Sequence, residues 1–349
     1  MTQLDELLER FKNVSENKAV SKPDMSFNTY AVTNFRGGIG KSTLSFNLAW
    51  EISRKFNLLL LDACPQANFT QSLLGGGSPF SYTIYDALLP MVMPGTKQVK
   101  TSDLITSVPA YCDPFKRGRD TFVIPGSNEL FLFPSLLYTQ LSTAATLSGA
   151  RSKETTKTIL EAVKTVLGVI KENFPHEKVL IDTSPFFGGA THLSWVAAEA
   201  LIIPARVDQH SMEALKLTLS MLRDESMDFL RLNKQGGIDK IPKVHAIVMT
   251  HCGWSRQTGN TPDKSTQAYL KQAIEIANEY KELLSSENPL ECIHLLDDFH
   301  SAGRISGTKR IPLAELTVGE QHTIQGQRLE VNESLVRYVR ELKALAAII

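Results

Sequence analysis

Short, nearly continuous apolar runs recur along the chain, and between them apolar residues fall three and four positions apart. "FNTYAVTN" (27–34) leads through a glycine-rich stretch to "STLSFNLAWEISRKF" (42–56), which has helical periodicity, and then to "NLLLLDA" (57–63). A strand, a helix and a second strand in that order form a βαβ unit, which implies parallel pairing and a right-handed crossover. Further runs at "KVLIDTS", "ALIIPA" and "VHAIVMT" continue the pattern. Strands buried on both faces read as unbroken apolar runs, so the expectation is an α/β fold with a doubly wound, mainly parallel sheet and helices on both faces.

The two ends and the middle depart from this rhythm. Residues 1–26 place Leu4, Leu7, Leu8 and Phe11 at helical spacing before a polar tether, "SENKAVSKPDMS". This describes either a partner-binding appendage or a helix packed on its own domain, which would occupy 27–349. Residues around 75–150, with "GGGSPF", "LLPMVMPGTK" and "YCDPFKRGRD", read as a long irregular insertion of the kind that forms lids or partner surfaces. The closing "NESLVRYVRELKALAAII" predicts a helix with Leu335, Tyr338, Val339, Leu342 and Leu345 on one side.

Composition narrows the picture by exclusion. The first residues lack the basic-then-apolar order of a secretory signal, and no apolar run approaches the ~18 residues of a membrane span. Cys64, Cys112, Cys252 and Cys292 form no CxxC pair, which argues against a structural zinc site and fits a reducing cytoplasm. A net charge of zero leaves nucleic-acid binding open, since that depends on a local basic face.

The candidate chemistry starts at "NFRGGIGKST" (34–43), between a predicted strand and a predicted helix. There Gly37, Gly38, Ile39 and Gly40 can curl so that successive N–H groups face phosphate oxygens at a helix N-terminus. Lys41 would reach the β- and γ-phosphates of ATP, the Ser42 hydroxyl would bind Mg²⁺, and Thr43 completes the set. These features predict a P-loop NTPase. Asp182 ends an apolar run, where a buried carboxylate needs a partner, and Mg²⁺ is the natural one. His192 reads as a helix-surface residue rather than a catalytic base.

The loop is unusual in carrying Phe35 where the standard motif has glycine, and Arg36 before the double glycine. This pattern resembles the deviant Walker A loop of the ParA/MinD family of ATPases, which partition DNA or position cellular machinery. "LLLLDACPQANFT" is similar to that family's D-x-D-P-Q-x-N motif, and "TIYDALL" to the piece after it. "VLIDTSPFFGGATHLSWVAAEALIIPARVDQHSMEAL" resembles its Walker B and switch region, with Asp182, Pro185, Pro204 and Glu213 in register; "IHLLDDFHSAGRISGTKRIPL" is only loosely like its closing segment.

The resemblance implies several roles. Arg36 would stand for the family's signature lysine, a cation that crosses an ATP-dependent homodimer to the partner's phosphates. Asp62 would act beside the metal and in hydrolysis, while Cys64 replaces the second aspartate associated with the attacking water. A neutral thiol accepts a proton poorly, which implies slow turnover or a long-lived ATP-bound clamp with a dedicated partner protein. "MTHCGWSRQTGN" falls where the family contacts adenine, making Thr250 and His251 base-contact candidates beside the reading of a plain loop. A stimulating partner protein is expected too. Arg304, Lys309, Arg310 and Arg328 are candidate contacts to non-specific DNA, or simply a solvated surface, and a membrane-binding role for the closing helix is the weaker alternative.

Overall fold

Alternating strands and helices organise the chain around one sheet, seen in a computed structural model that describes residues 2–77, 80–254 and 261–349. In chain order the elements are α1 (Gln3–Ser15), β1 (Thr29–Val32), α2 (Lys41–Ser53), β2 (Leu58–Asp62), α3 (Asn68–Leu74), α4 (Ile84–Val92), α5 (Thr101–Leu104), β3 (Thr106–Ser107), β4 (Thr121–Ile124), α6 (Phe133–Ala145), α7 (Gly149–Leu160), α8 (Ala162–Asn173), β5 (Lys178–Asp182), α9 (Ala190–Ala197), β6 (Ala200–Arg206), α10 (Gln209–Arg223), α11 (Asp228–Gly236), β7 (Lys243–Cys252), α12 (Lys264–Glu279), β8 (Ile293–Asp297), α13 (His300–Lys309), β9 (Gln321–Ile324), β10 (Gln327–Glu330) and α14 (Leu335–Ala346).

The eight-stranded sheet has the order β3-β4-β2-β5-β1-β6-β7-β8, parallel throughout except where β3 runs antiparallel to β4. β9 and β10 form a separate hairpin. All of Leu58–Leu61 is buried, but the side chains split by parity: Leu59 and Leu61 join one core, Leu58 and Leu60 the other. A central parallel strand has no solvated face, so its sequence cannot alternate. On the first face α8, α9, α10 and α12 contribute Val163, Trp195, Leu215 and Ala273; on the second, α2 and α14 contribute Leu48 and Leu342.

The segment around 75–150, expected to be irregular, instead contributes two strands of the sheet and the helices α4 and α6. Its strand β4, as long as β1, is masked by the glycine- and proline-rich sequence on either side, and its antiparallel neighbour β3 has only two residues, too short to yield a periodicity. β8, inside the loosely matched closing segment, is a further strand that its sequence did not announce.

Both ends are docked. α1 buries Leu4, Leu7 and Phe11 and packs on α12 and α14. From this helix Arg10 donates to the carbonyls of Leu290, Ile293 and Glu291, fastening it to the turn before β8. α14 lays Leu335, Tyr338, Leu342 and Leu345 against α2 and β8. Among the described residues no helix is long and apolar enough to cross a membrane.

Candidate functional site

The glycine loop leaves the carboxyl end of β1 and runs into α2. Gly38 and Gly40 have φ values of +72° and +82°, which an L-residue rarely adopts. Gly40 is the residue before the first helical turn, and Lys41 opens α2. The loop's entrance is pinned by Asn34, whose amide donates to the Pro204 carbonyl on β6 (2.7 Å) while its oxygen accepts the Arg36 N–H (2.9 Å). Phe35 stacks on Trp195, with ring centroids 5.6 Å apart, and meets Phe187 edge-on. The aromatic ring that replaces glycine in the motif thus anchors the loop in the core and against the segment after β5.

Lys41 is buried, and its Nζ donates to the carbonyls of Arg36 (2.8 Å) and Asn34 (3.1 Å). Burial lowers its pKa while the nearby Asp182 opposes the shift. Ser42 and Ser45 donate to the two oxygens of Asp182, each at 2.7 Å. Asp62 and Asp182 are register partners on adjacent strands, both fully buried. Burial pushes Asp62 up to about 7, with the neighbouring Asp182 adding to it, and burial pushes Asp182 up to about 6.

Their surroundings separate their uses. Asp62 accepts from the Cys64 amide (3.0 Å) and from the Thr70 amide and hydroxyl (2.8 Å each), so it braces the turn into α3. Among the described residues the Asp182 carboxylate accepts from two hydroxyls, one of them the Ser42 group that heads the glycine loop. Two hard oxygen donors at that point suit Mg²⁺, which retains much of its water and takes few protein ligands. Cys64 is buried, and burial raises its thiol to about 12, leaving it neutral.

Two cavities meet along Gly40 and Thr43. The larger, about 870 Å³, extends from Gly37, Lys41 and Ser42 past Cys64 and Gln71 to Arg310. The smaller, about 450 Å³, is walled by Ile39, Leu44, Leu296, Phe299 and Leu329, with Thr250 and His251 at its edge. Thr250 and His251 therefore both line a cavity beside the loop, whereas 255–260 of the same stretch lie outside the described residues. Asp298, Phe299 and Arg304 line it too; no local motif marks them, because they reach the cleft only through the placement of β8.

Other candidates lie elsewhere. The Arg36 guanidinium is ion-paired with Asp208, before α10, and donates to Ser211 Oγ (2.8 Å) within the same chain. Burial alone would raise the Asp208 carboxyl, but the Ser211 amide and Arg36 outweigh it and hold it below its ordinary value. His192 corrects the surface reading: it is fully buried, packed on Phe187 and Phe229, with Nε2 3.3 Å from Asn233 Oδ1. Its sequence neighbours looked like a solvated turn of helix, but α9 is covered on all sides. Of the four basic candidates, Arg304 and Arg310 line the two cavities, while Lys309 and Arg328 are exposed.

A family model described as an AAA domain matches residues 27–231, more than half of the chain. The chain belongs to the ParA/MinD-type ATPases. It is 28% identical over 186 residues to the chromosome partitioning protein ParA of Caulobacter vibrioides, covering 53% of this chain and 58% of that protein. It is 26% identical over 196 residues to the sporulation initiation inhibitor protein Soj of Bacillus subtilis, covering 55% and 64%. The match thus spans about three fifths of these curated relatives. Among solved structures, apo McdA from Cyanothece superposes with a TM-score of 0.60 at 19% identity, covering 92% of this chain and 100% of that one. A plasmid partition protein of Borrelia burgdorferi bound to AMPPNP gives 0.56 at 16%, covering 93% and 100%. At such identities the structural matches establish the fold, that of this ParA/MinD-type family.

Proposed function

We propose that the chain is an ATP-binding dimerisation switch of the ParA type, which slowly hydrolyses ATP and partitions DNA or positions cargo with a stimulating partner protein. The observation that carries this is the meeting of the two cavities at Gly40–Thr43. One has apolar walls suited to a base, the other is polar and headed by Lys41, as a nucleoside triphosphate requires. Ser42 and Asp182 would hold Mg²⁺, which neutralises phosphate charge when bound. Lys41 would exchange its two carbonyl partners for phosphate oxygens, and the loop amides would complete the cradle. Arg36 would leave Asp208 to reach the partner protomer's phosphates in the dimer.

Cys64 favours a second reading, an ATP-retaining clamp. Its neutral thiol lines the phosphate cavity where the family's second aspartate stands, and among the described residues no carboxylate lines that cavity. Measured ATP turnover of the wild type, with and without DNA, decides between the two. Turnover raised by DNA supports the cycling switch; intact ATP recovered from a silent protein supports the clamp. Failure of the purified chain to bind ATP at all would overturn both.

A further inference from the structure

The far wall of the phosphate cavity is made by a residue that no part of the loop motif supplies. Arg310 ends α13 with φ +56°, a left-handed conformation that a non-glycine residue adopts only when its surroundings hold it there. Those surroundings are visible. Its carbonyl accepts from Cys112 Sγ at 3.5 Å, and its Nη2 donates to the Tyr111 carbonyl at 2.9 Å. Its Nη1 lies against Gly75, where an added Cβ would sit 2.4 Å away. Gly75 itself has φ +86°, so both the space and the backbone there favour glycine.

The guanidinium is thus positioned at the rim of a cavity that, among the described residues, is lined by two cations, Lys41 and Arg310, and by no carboxylate. A planar guanidinium has five donors, and among the described residues the Tyr111 carbonyl takes one of them, on Nη2. The free edge of such a fork suits a phosphoryl oxygen pair. Arg36, at the entrance of the loop, is occupied by Asp208 and Ser211 within the chain.

We propose that Arg310 binds the terminal phosphate of a nucleoside triphosphate in its own chain. It thereby ties the Gly75 turn and the Tyr111 segment to the presence of that phosphate. The proposal rests on the ATP reading above and goes beyond it by assigning an intramolecular cation to the γ-phosphate.

The test is binding of AMPPNP and of ADP, each with Mg²⁺, to the full chain by calorimetry, comparing wild type with Arg310→Ala, Arg310→Lys and Gly75→Ala. Arg310→Ala should weaken AMPPNP by about 10- to 100-fold, as expected for a charged hydrogen-bonding partner, and ADP by less than about threefold. Arg310→Lys should recover part of the loss. Gly75→Ala should reproduce the triphosphate-selective loss by displacing the guanidinium, which keeps the test decisive if the alanine at 310 unfolds the end of α13. Equal losses for both nucleotides, or none, overturn the proposal. So does an unchanged AMPPNP-to-ADP ratio with weakened retention on DNA, which would place Arg310 on a polyanion-binding surface. A wild type that binds neither nucleotide defeats the ATP reading itself, and the proposal with it.

Discussion

The cavity proposed for phosphate takes its central donors from one contiguous stretch, residues 37–43, whereas the cavity proposed for the base draws most of its walls from the ends of β7 and β8, the start of α13 and Leu329 of β10. The first is a backbone device. Glycines at positive φ and a helix N-terminus produce it wherever a strand feeds a helix with that spacing, so it can be recognised locally. The second is a side-chain device with walls from residues more than two hundred positions apart, such as Ile39 and Phe299, and no local pattern encodes it. The comparison teaches that affinity for phosphate should depend on a few irreplaceable positions, and affinity for the base on many interchangeable ones.

The sharpest way to break that comparison is Lys41→Ala. Loss of the buried ammonium should lower ATP affinity by about 100-fold or more, read by calorimetry, with the melting temperature little changed. Unchanged affinity would remove the phosphate end from the site altogether.

Acid probes the core beneath the cleft. His192 is neutral and buried, with burial lowering its pKa to about 4 from an ordinary value near 6.5. The unfolded chain takes up a proton in that window and the folded chain does not, so stability is full above about pH 6.5 and falls as pH drops toward 4. Between pH 7 and 5 the expected loss is about 2 kcal/mol from this residue, and His192→Asn should flatten the slope of denaturant-derived stability against pH. An identical slope in the variant would show that the histidine is protonated inside the fold.

Cys64→Asp sharpens the comparison on the phosphate side. A carboxylate there should raise basal turnover by about tenfold in a phosphate-release assay, since a general base typically contributes at least that much. No gain would mean that Cys64 is not what limits hydrolysis. On the base side, Phe299→Ala should weaken AMPPNP and ADP alike, by less than about tenfold, because one wall among several is lost. A loss as large as that of Lys41→Ala would abolish the distinction drawn here. Smallest of all should be the effect of Arg36→Ala on ATP affinity in the monomer, within about twofold, since the guanidinium is turned to Asp208. The same variant should reduce ATP-dependent dimers in light scattering, and equal dimer populations would exclude the cross-protomer role.

Much of the architecture was legible beforehand because burial on both faces writes itself as apolar runs: β1, β2, β5, β6 and β7 lie where those runs predicted. β4 and β8 are no shorter than β1, but they lie inside the glycine- and proline-rich middle and the loosely matched closing segment, where no strand–helix rhythm marks them. In the site, Ser42 donates to Asp182 at 2.7 Å across 140 positions of sequence, a meeting that no spacing within the loop encodes. His192 was misplaced because a polar residue on a short helix looks solvated until Phe187, Phe229 and Asn233 are seen around it.

By itself the sequence determined the parallel α/β class and the glycine-rich loop between β1 and α2. Each rests on local backbone preference or on the period of apolar residues, and both are properties of neighbours in the chain. The tertiary structure alone decided that Arg36 rests on Asp208, that Asp62 accepts from Cys64 and Thr70 at the turn into α3, and that Arg310 lines the cavity beside Gly75. A side chain's charge is written in the sequence, but its partner is chosen by which strands and helices end beside it, and that choice is made only when the whole sheet closes on its two cores.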